Sequence, residues 1–203
     1  MKSRTQLARG FALTEMALVI LTVALLAAIL APTVTLTHGR SKRVLCISNL
    51  KQIGIAYRIV SHEHNERFPI TISEQSQVFR HFQALSNELA TPKVLRCSTD
   101  TRTSAERFNI LSNTNLSYFA GLDTHESMPE RILSGDRNIL GGTVNDAYLR
   151  LFAPGSPAAW HTNMHVRSGN IGLADGSAQQ VDDKGLTAQI GSQRLQVIRL
   201  AIP

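Results

Sequence analysis

The chain has 203 residues, with 21 Lys plus Arg against 15 Asp plus Glu, a formal charge of +6 and two cysteines. That length accommodates one ordinary domain and an added segment, and no internal repeat, low-complexity tract or interdomain linker interrupts it. The basic excess does not read as a nucleic-acid surface, because Lys and Arg are scattered singly, with no basic run interleaved with aromatics; Arg40, Lys42 and Arg43 form the one cluster.

A basic stretch, Lys2 to Arg9, leads into Gly10 and Phe11, and an apolar run then extends to Ala31 with a single carboxylate, Glu15, near its start. As a helix from Phe11 to Ala31 this run is about 31 Å long, which matches the roughly 30 Å hydrocarbon core of a bilayer. A membrane-spanning helix is therefore expected. A secretory signal peptide has an apolar core of roughly 7 to 15 residues, shorter than this one. A plain anchor leaves Glu15 as an intramembrane carboxylate costing about 2.5 to 3.5 kcal/mol, a group normally retained for a cationic partner.

Gly10-Phe11, then Thr14-Glu15 and an unbroken apolar helix, resembles the N-terminal signal of type IV pilins and type II secretion pseudopilins. The resemblance implies that a prepilin peptidase removes residues 1–10 by cutting after Gly10, and that the new N-terminal Phe11 is N-methylated. It also implies that Glu15 meets the N-terminal amine of a neighbouring subunit during fibre assembly. This chain reads Phe-Ala-Leu-Thr-Glu-Met where Phe-Thr-Leu-Ile-Glu is commoner. Loss of the leader takes Lys2, Arg4 and Arg9, so Lys plus Arg falls from 21 to 18 against 15 acids and the charge drops to +3. The location implied is the inner membrane, single-pass, with a cytoplasmic N-terminus and a periplasmic head.

Pro32 closes the apolar run, and Thr33, Thr35, Thr37 and Gly39 are poor helix formers. From Lys42 helical periodicity returns, since Cys46, Leu50, Ile53, Tyr57 and Val60 step by four, three, four and three. Residues 33–62 are thus expected to continue the helix begun at 11–32 as an amphipathic segment. A separate helix after a break at Pro32–Gly39 is the alternative.

The same segment carries a second resemblance. Cys46-Ile47-Ser48-Asn49-Leu50-Lys51-Gln52-Ile53 is similar to a signature of pseudopilin-like proteins of planctomycete and verrucomicrobial bacteria. Asn49, Lys51 and Gln52 are its polar positions. Phe68-Pro69, Thr91 to Cys97, Ser117-Tyr118-Phe119 and Ile132 to Arg137 fit the same group, as does a terminal element of His165, nine residues, then Asp175-Gly176. Ser98 and Ser177 depart from the group's usual proline and histidine.

The remainder, 63–203, reads as an α+β head. Ser73 is a good N-cap for a helix with Val78, Phe79, Phe82, Leu85 and Leu89 on one face. Short strand-like runs follow at Val94–Cys97, Leu116–Ala120, Ile132–Ser134, Asn138–Leu140 and Asn170–Ala174, and Asp175-Gly176 signals a hairpin back through Ala178–Val181. The fold expected is pilin-like, with a long helix, membrane-embedded over its first half, packed on a small antiparallel sheet.

Chemistry in the head is weakly signalled. His161 and His165 have the spacing of two zinc-binding imidazoles on one helical face, yet Thr162 replaces the glutamate base, and Pro154, Pro157 and Gly169 oppose a helix. His165 and Asp175 can instead staple a hairpin. Asp182 and Asp183 do not reproduce a calcium-loop spacing and read as a solvated strand end. No metal, cofactor or catalytic residue is called for, and no Gly-x-Ser-x-Gly element supplies a nucleophile. If the head is exported, Cys46 and Cys97 form an even pair in an oxidising compartment, which favours a disulfide over two buried free thiols. The expected function is a structural fibre subunit whose partners are the peptidase/methylase, other subunits and the inner membrane, with no nucleic acid. The alternatives are a membrane-anchored envelope-binding module that does not polymerise, and an anchored metal-dependent hydrolase using His161, His165 and Asp175.

Overall fold

The computed structural model describes the backbone of residues 13–70 and 77–203, and the side chains of these residues outside 30–40. The leader with Gly10 and Phe11, and the Ser73 cap with Glu74, lie outside the described residues. The chain divides into two compact units at Ser41 and Lys42. Helix α1, Leu13–Glu63, contains 51 residues, and its assignment runs through Pro32. Glu15 stands in the first described turn of α1.

The membrane-spanning expectation is corrected. Among the described residues no helix is long and apolar enough to cross a membrane. The transmembrane helix and the single-pass inner-membrane location built on it are therefore not carried forward. The small sheet is corrected too, because the head holds seven strands in one antiparallel sheet.

Among the described residues, α1 is followed by α2 (Val78–Gln83) and by single 3₁₀ turns at Pro92–Leu95, Phe108–Ile110 and Asn113–Asn115. The strands are β1 (Tyr118–Gly121), β2 (Ile132–Asp136), β3 (Ile139–Gly141), β4 (Thr143–Asp146), β5 (Leu149–Phe152), β6 (Ala158–Trp160), β7 (Ser168–Leu173), β8 (Ala178–Asp182) and β9 (Ile198–Ala201). Helix α3, Asp183–Ser192, lies between β8 and β9. The large sheet has the order β4-β5-β9-β1-β2-β7-β8, and β3 pairs with β6 in a separate ribbon.

Both faces of this sheet are covered, so its central strands are buried throughout. Along β1, Tyr118 and Ala120 enter one core and Phe119 the other, as the two-residue period of a strand requires. The first core is made with α1 through Cys46, Leu50, Ile53, Tyr57 and Val60, the stripe expected from the helical spacing, and through Ala56 beside them. Phe82, Leu85 and Leu89 close it, and Tyr57 Oη donates to the His81 carbonyl at 3.0 Å. The second core joins Phe119, Ile132, Phe152, Trp160 and Ile171 to Leu186 and Ile190 of α3.

Several local expectations change. Val94–Cys97 is not a strand: Pro92 at the first position of the 3₁₀ turn has its φ preset, and Thr91 Oγ1 accepts from Lys93 N–H at 3.4 Å. Helix α2 is shorter than the apolar face suggested and ends at Gln83. Asp182 is the exposed last residue of β8, as expected, and Asp183 opens α3. Asp182 Oδ1 caps α3 by accepting from Gly185 N–H at 2.8 Å, and Asp183 Oδ1 accepts from Trp160 N–H at 2.8 Å.

Candidate functional site

Two of the motif residues, Asn49 and His165, flank one buried polar cluster at the disulfide that joins α1 to Cys97. Cys46 on α1 is bonded to Cys97, two residues beyond the Pro92–Leu95 turn, with Cα atoms 5.1 Å apart. One helical turn is fixed beside it. Asn49 Nδ2 donates to the Arg96 carbonyl at 3.1 Å and reaches Tyr118 Oη at 3.4 Å. Lys51 and Gln52, from the same motif, are exposed.

His165 lies against the bond, not against Asp175. Its Nε2 is 3.4 Å from Cys97 Sγ, 3.4 Å from Thr99 Oγ1, 3.3 Å from Asn170 Nδ2 and 3.4 Å from Asp136 Oδ2. The sheet makes this meeting, because β2 pairs with β7 and so sets Asp136 beside Asn170. Asn170 donates twice to Asp136 Oδ2, from its backbone N–H at 2.8 Å and from Nδ2 at 2.9 Å. Asp136 Oδ1 is buried and has no hydrogen-bond partner. Burial pushes the Asp136 carboxyl up to about 7, against the two bonds from Asn170. Burial, and the nearby positive charge of Arg43, hold His165 below the usual imidazole value.

A second carboxylate completes the neighbourhood. Arg137 clamps Asp100 with Nε at 2.7 Å from Oδ2 and Nη2 at 2.9 Å from Oδ1. Burial pushes the Asp100 carboxyl up, but the Arg137 guanidinium with further hydrogen bonds outweighs it and leaves the group below the ordinary carboxylate value. Arg102 beneath it donates to the carbonyls of Asn113, Leu116 and Pro203, which ties the chain end to the first core.

Asp175 and Gly176 form the tip of the β7–β8 hairpin, as expected, and that tip rests on α1. Gly176 has φ +84°, the left-handed region a tight turn uses, and Asp175 Oδ1 accepts from Ser177 N–H at 2.8 Å. Arg58 Nη1 donates to the Asp175 carbonyl at 2.9 Å. A Cβ added at Gly54 would stand 3.0 Å from the Gly176 Cα, so the helix and hairpin meet backbone to backbone there.

His161, His165 and Asp175 are not gathered into a site. His161 is exposed, and its Nδ1 accepts from Asn163 N–H at 3.2 Å. Among the described residues, the one group of three or more possible metal ligands is Cys46, Cys97 and His165. Asp136, Asn170, Asp100 and Arg137 were not read as site residues from the sequence. The run Leu133-Ser134-Gly135-Asp136-Arg137, with two charges ending an apolar strand, was the available signal.

The N-terminal unit presents a different surface. Its described apolar side chains are exposed on every side of the helix, from Leu13 at 90% through Leu21 at 70% to Ile29 at 62%. Thr22 Oγ1 turns back onto the Val19 carbonyl at 2.8 Å, so its hydroxyl does not interrupt that surface. No family model matches this chain, and neither the curated proteins nor the solved structures contain a significant match to it.

Proposed function

We propose that the chain is a structural subunit of a fibre of the type IV pilus or type II secretion pseudopilus kind, joined to its copies through the N-terminal section of α1. The observation that carries this reading is the exposed apolar surface at Leu18, Ile20, Leu21, Val23, Leu25, Leu26 and Ile29. Steps of 100° carry these positions around the whole helix, and a helix that is apolar all round is one that other elements enclose. Copies of the same helix supply such an enclosure.

The processing steps follow from the N-terminal resemblance. A prepilin peptidase removes Met1–Gly10, and Phe11 becomes the methylated N-terminal residue. Its amine then lies four residues before Glu15. In a bundle of copies displaced along their axes, the Glu15 carboxylate of one subunit meets the Phe11 amine of another, and the two charges are neutralised inside the apolar core. The head, with its disulfide and its helix-to-hairpin contact, is the scaffold displayed outside that core.

Replacing Glu15 by Ala tests the assembly step. The substitution is expected to reduce incorporation into mechanically sheared fibres at least tenfold, with the chain still made and processed. Normal incorporation of the variant overturns the reading.

A further inference from the structure

We infer that the Cys46–Cys97 bond and a zinc ion are alternative occupants of one buried site. When a dithiol reductant opens the bond, Cys46 Sγ, Cys97 Sγ and His165 Nε2 bind Zn²⁺, with a water molecule in the fourth position. This rests on the head alone and is independent of the proposed role in a fibre.

Geometry carries the inference. One ligand atom from each of Cys46, Cys97 and His165 lies within 4.8 Å of the others, and all three residues are buried. His165 Nε2 is 3.4 Å from Cys97 Sγ and 3.4 Å from Asp136 Oδ2. In a tetrahedral zinc site, with metal–sulfur distances of about 2.3 Å and metal–nitrogen or –oxygen distances of about 2.0–2.1 Å, neighbouring ligand atoms stand about 3.3–3.8 Å apart. The spacing from His165 Nε2 to Cys97 Sγ is an edge of such a tetrahedron, and opening the bond frees the two sulfurs to separate to another. The single Nε2 faces a carboxylate oxygen, a sulfur, a hydroxyl and an amide nitrogen, all at 3.3–3.4 Å.

The surroundings fit a ligand set better than a hydrogen-bonded core. Asp136 Oδ1 is wholly buried without a partner, a vacant acceptor in a region where polar groups are normally satisfied. Asn170 holds the other oxygen, Oδ2, with two donors, which fixes the carboxyl beside the histidine ring. Half-buried Ser98 and Thr99 stand one on each sulfur, at 3.7 Å from Cys46 Sγ and 3.0 Å from Cys97 Sγ, so the bond lies one residue below the surface.

The redox step balances as thiol–disulfide exchange. The dithiol gives two electrons and two protons, its own sulfurs join as a disulfide, and Cys46 and Cys97 become thiols. Binding Zn²⁺ then releases both thiol protons to solvent. A disulfide oxidant, which takes up two electrons and two protons and leaves as a dithiol, re-forms the bond and expels the ion. The cluster thus ties α1 to the Cys97 segment in both redox states.

The full chain, reduced with a phosphine without oxygen and titrated with Co²⁺, tests this directly. The expected result is one Co²⁺ per reduced chain, with the visible absorption of a tetrahedral site and a thiolate charge-transfer band, and none per disulfide-bonded chain. Zn²⁺ should displace the cobalt and slow alkylation of the two thiols at least tenfold. His165→Ala is expected to weaken Co²⁺ binding at least tenfold, with the far-ultraviolet circular dichroism of the oxidised variant confirming its fold. Where that variant does not fold, the comparison of oxidised with reduced native chain decides. A reduced chain that takes up no cobalt, takes it up with an octahedral spectrum, or unfolds and does not recover on adding metal overturns the inference. So does equal binding by the oxidised chain.

Discussion

Removing the disulfide tests how the head holds α1. The bond closes a loop between positions 51 apart in sequence. The chain-entropy relation gives about 14 cal/mol/K for a loop of that size, or roughly 4 kcal/mol at 25 °C, as the stabilisation lost when Cys46 and Cys97 are both replaced by Ala. The variant keeps the stripe of Leu50, Ile53, Tyr57 and Val60 against the first core, so the head should still fold. With a urea slope of about 2 kcal/mol/M for a domain of this size, the unfolding midpoint should fall by about 2 M, read by circular dichroism on the full chain. Reducing agent should shift the native chain in the same direction and leave the variant unmoved. A midpoint change below about 0.5 M would refute the claim that this bond, rather than packing alone, secures the helix.

Two further changes probe the contacts behind that bond. Gly54→Ala forces a Cβ to 3.0 Å from the Gly176 Cα, whereas Gly191→Ala in α3 meets nothing within 4 Å. Overpacking against backbone costs about 1–3 kcal/mol and outweighs the roughly 1 kcal/mol gained in helix propensity, so the first variant should lose stability and the second gain it; equal gains in both would contradict the close approach. In the disulfide-bonded chain, Asp136 holds its proton up to about pH 7 when folded and releases it near 3.8 when unfolded. The folded state therefore binds the extra proton between those values, and stability falls by about 4 kcal/mol as pH rises through the window. His165, depressed by burial, acts in the opposite sense, with its contribution present above the ordinary imidazole value and lost as pH falls. Both chains retain His165, so the difference between native and Asp136→Asn stability isolates the carboxyl, and parallel pH profiles would contradict its burial cost.

What could be read in advance was whatever local periodicity encodes. The four-and-three spacing from Cys46 to Val60 marked the buried face of α1, and Asp175-Gly176 marked the β7–β8 hairpin. Strand order is not local. The nine residues between His165 and Asp175 suggest a staple across a hairpin, whereas the true neighbour of His165, Asp136, arrives through the β2–β7 pairing. β4 was missed because Thr143–Asp146 is exposed at every position of an edge strand and shows no alternation. Helix α3 was missed because Gly185, Thr187 and Gly191 are poor helix formers, although the Asp182 cap and the Leu186–Ile190 spacing were present. The N-terminal run suggested a bilayer span through its apolarity, but the described helix meets no such criterion. Apolarity alone does not distinguish lipid from other copies of the helix as what surrounds it.

The central claim is that this helix is processed for assembly, and the N-terminal mass of the mature protein from its own cells tests it most directly. The account predicts a chain that has lost Met1–Gly10 and begins with N-methylated Phe11. A mature chain that still carries Lys2–Gly10, with an unmodified Phe11 inside it, would contradict it.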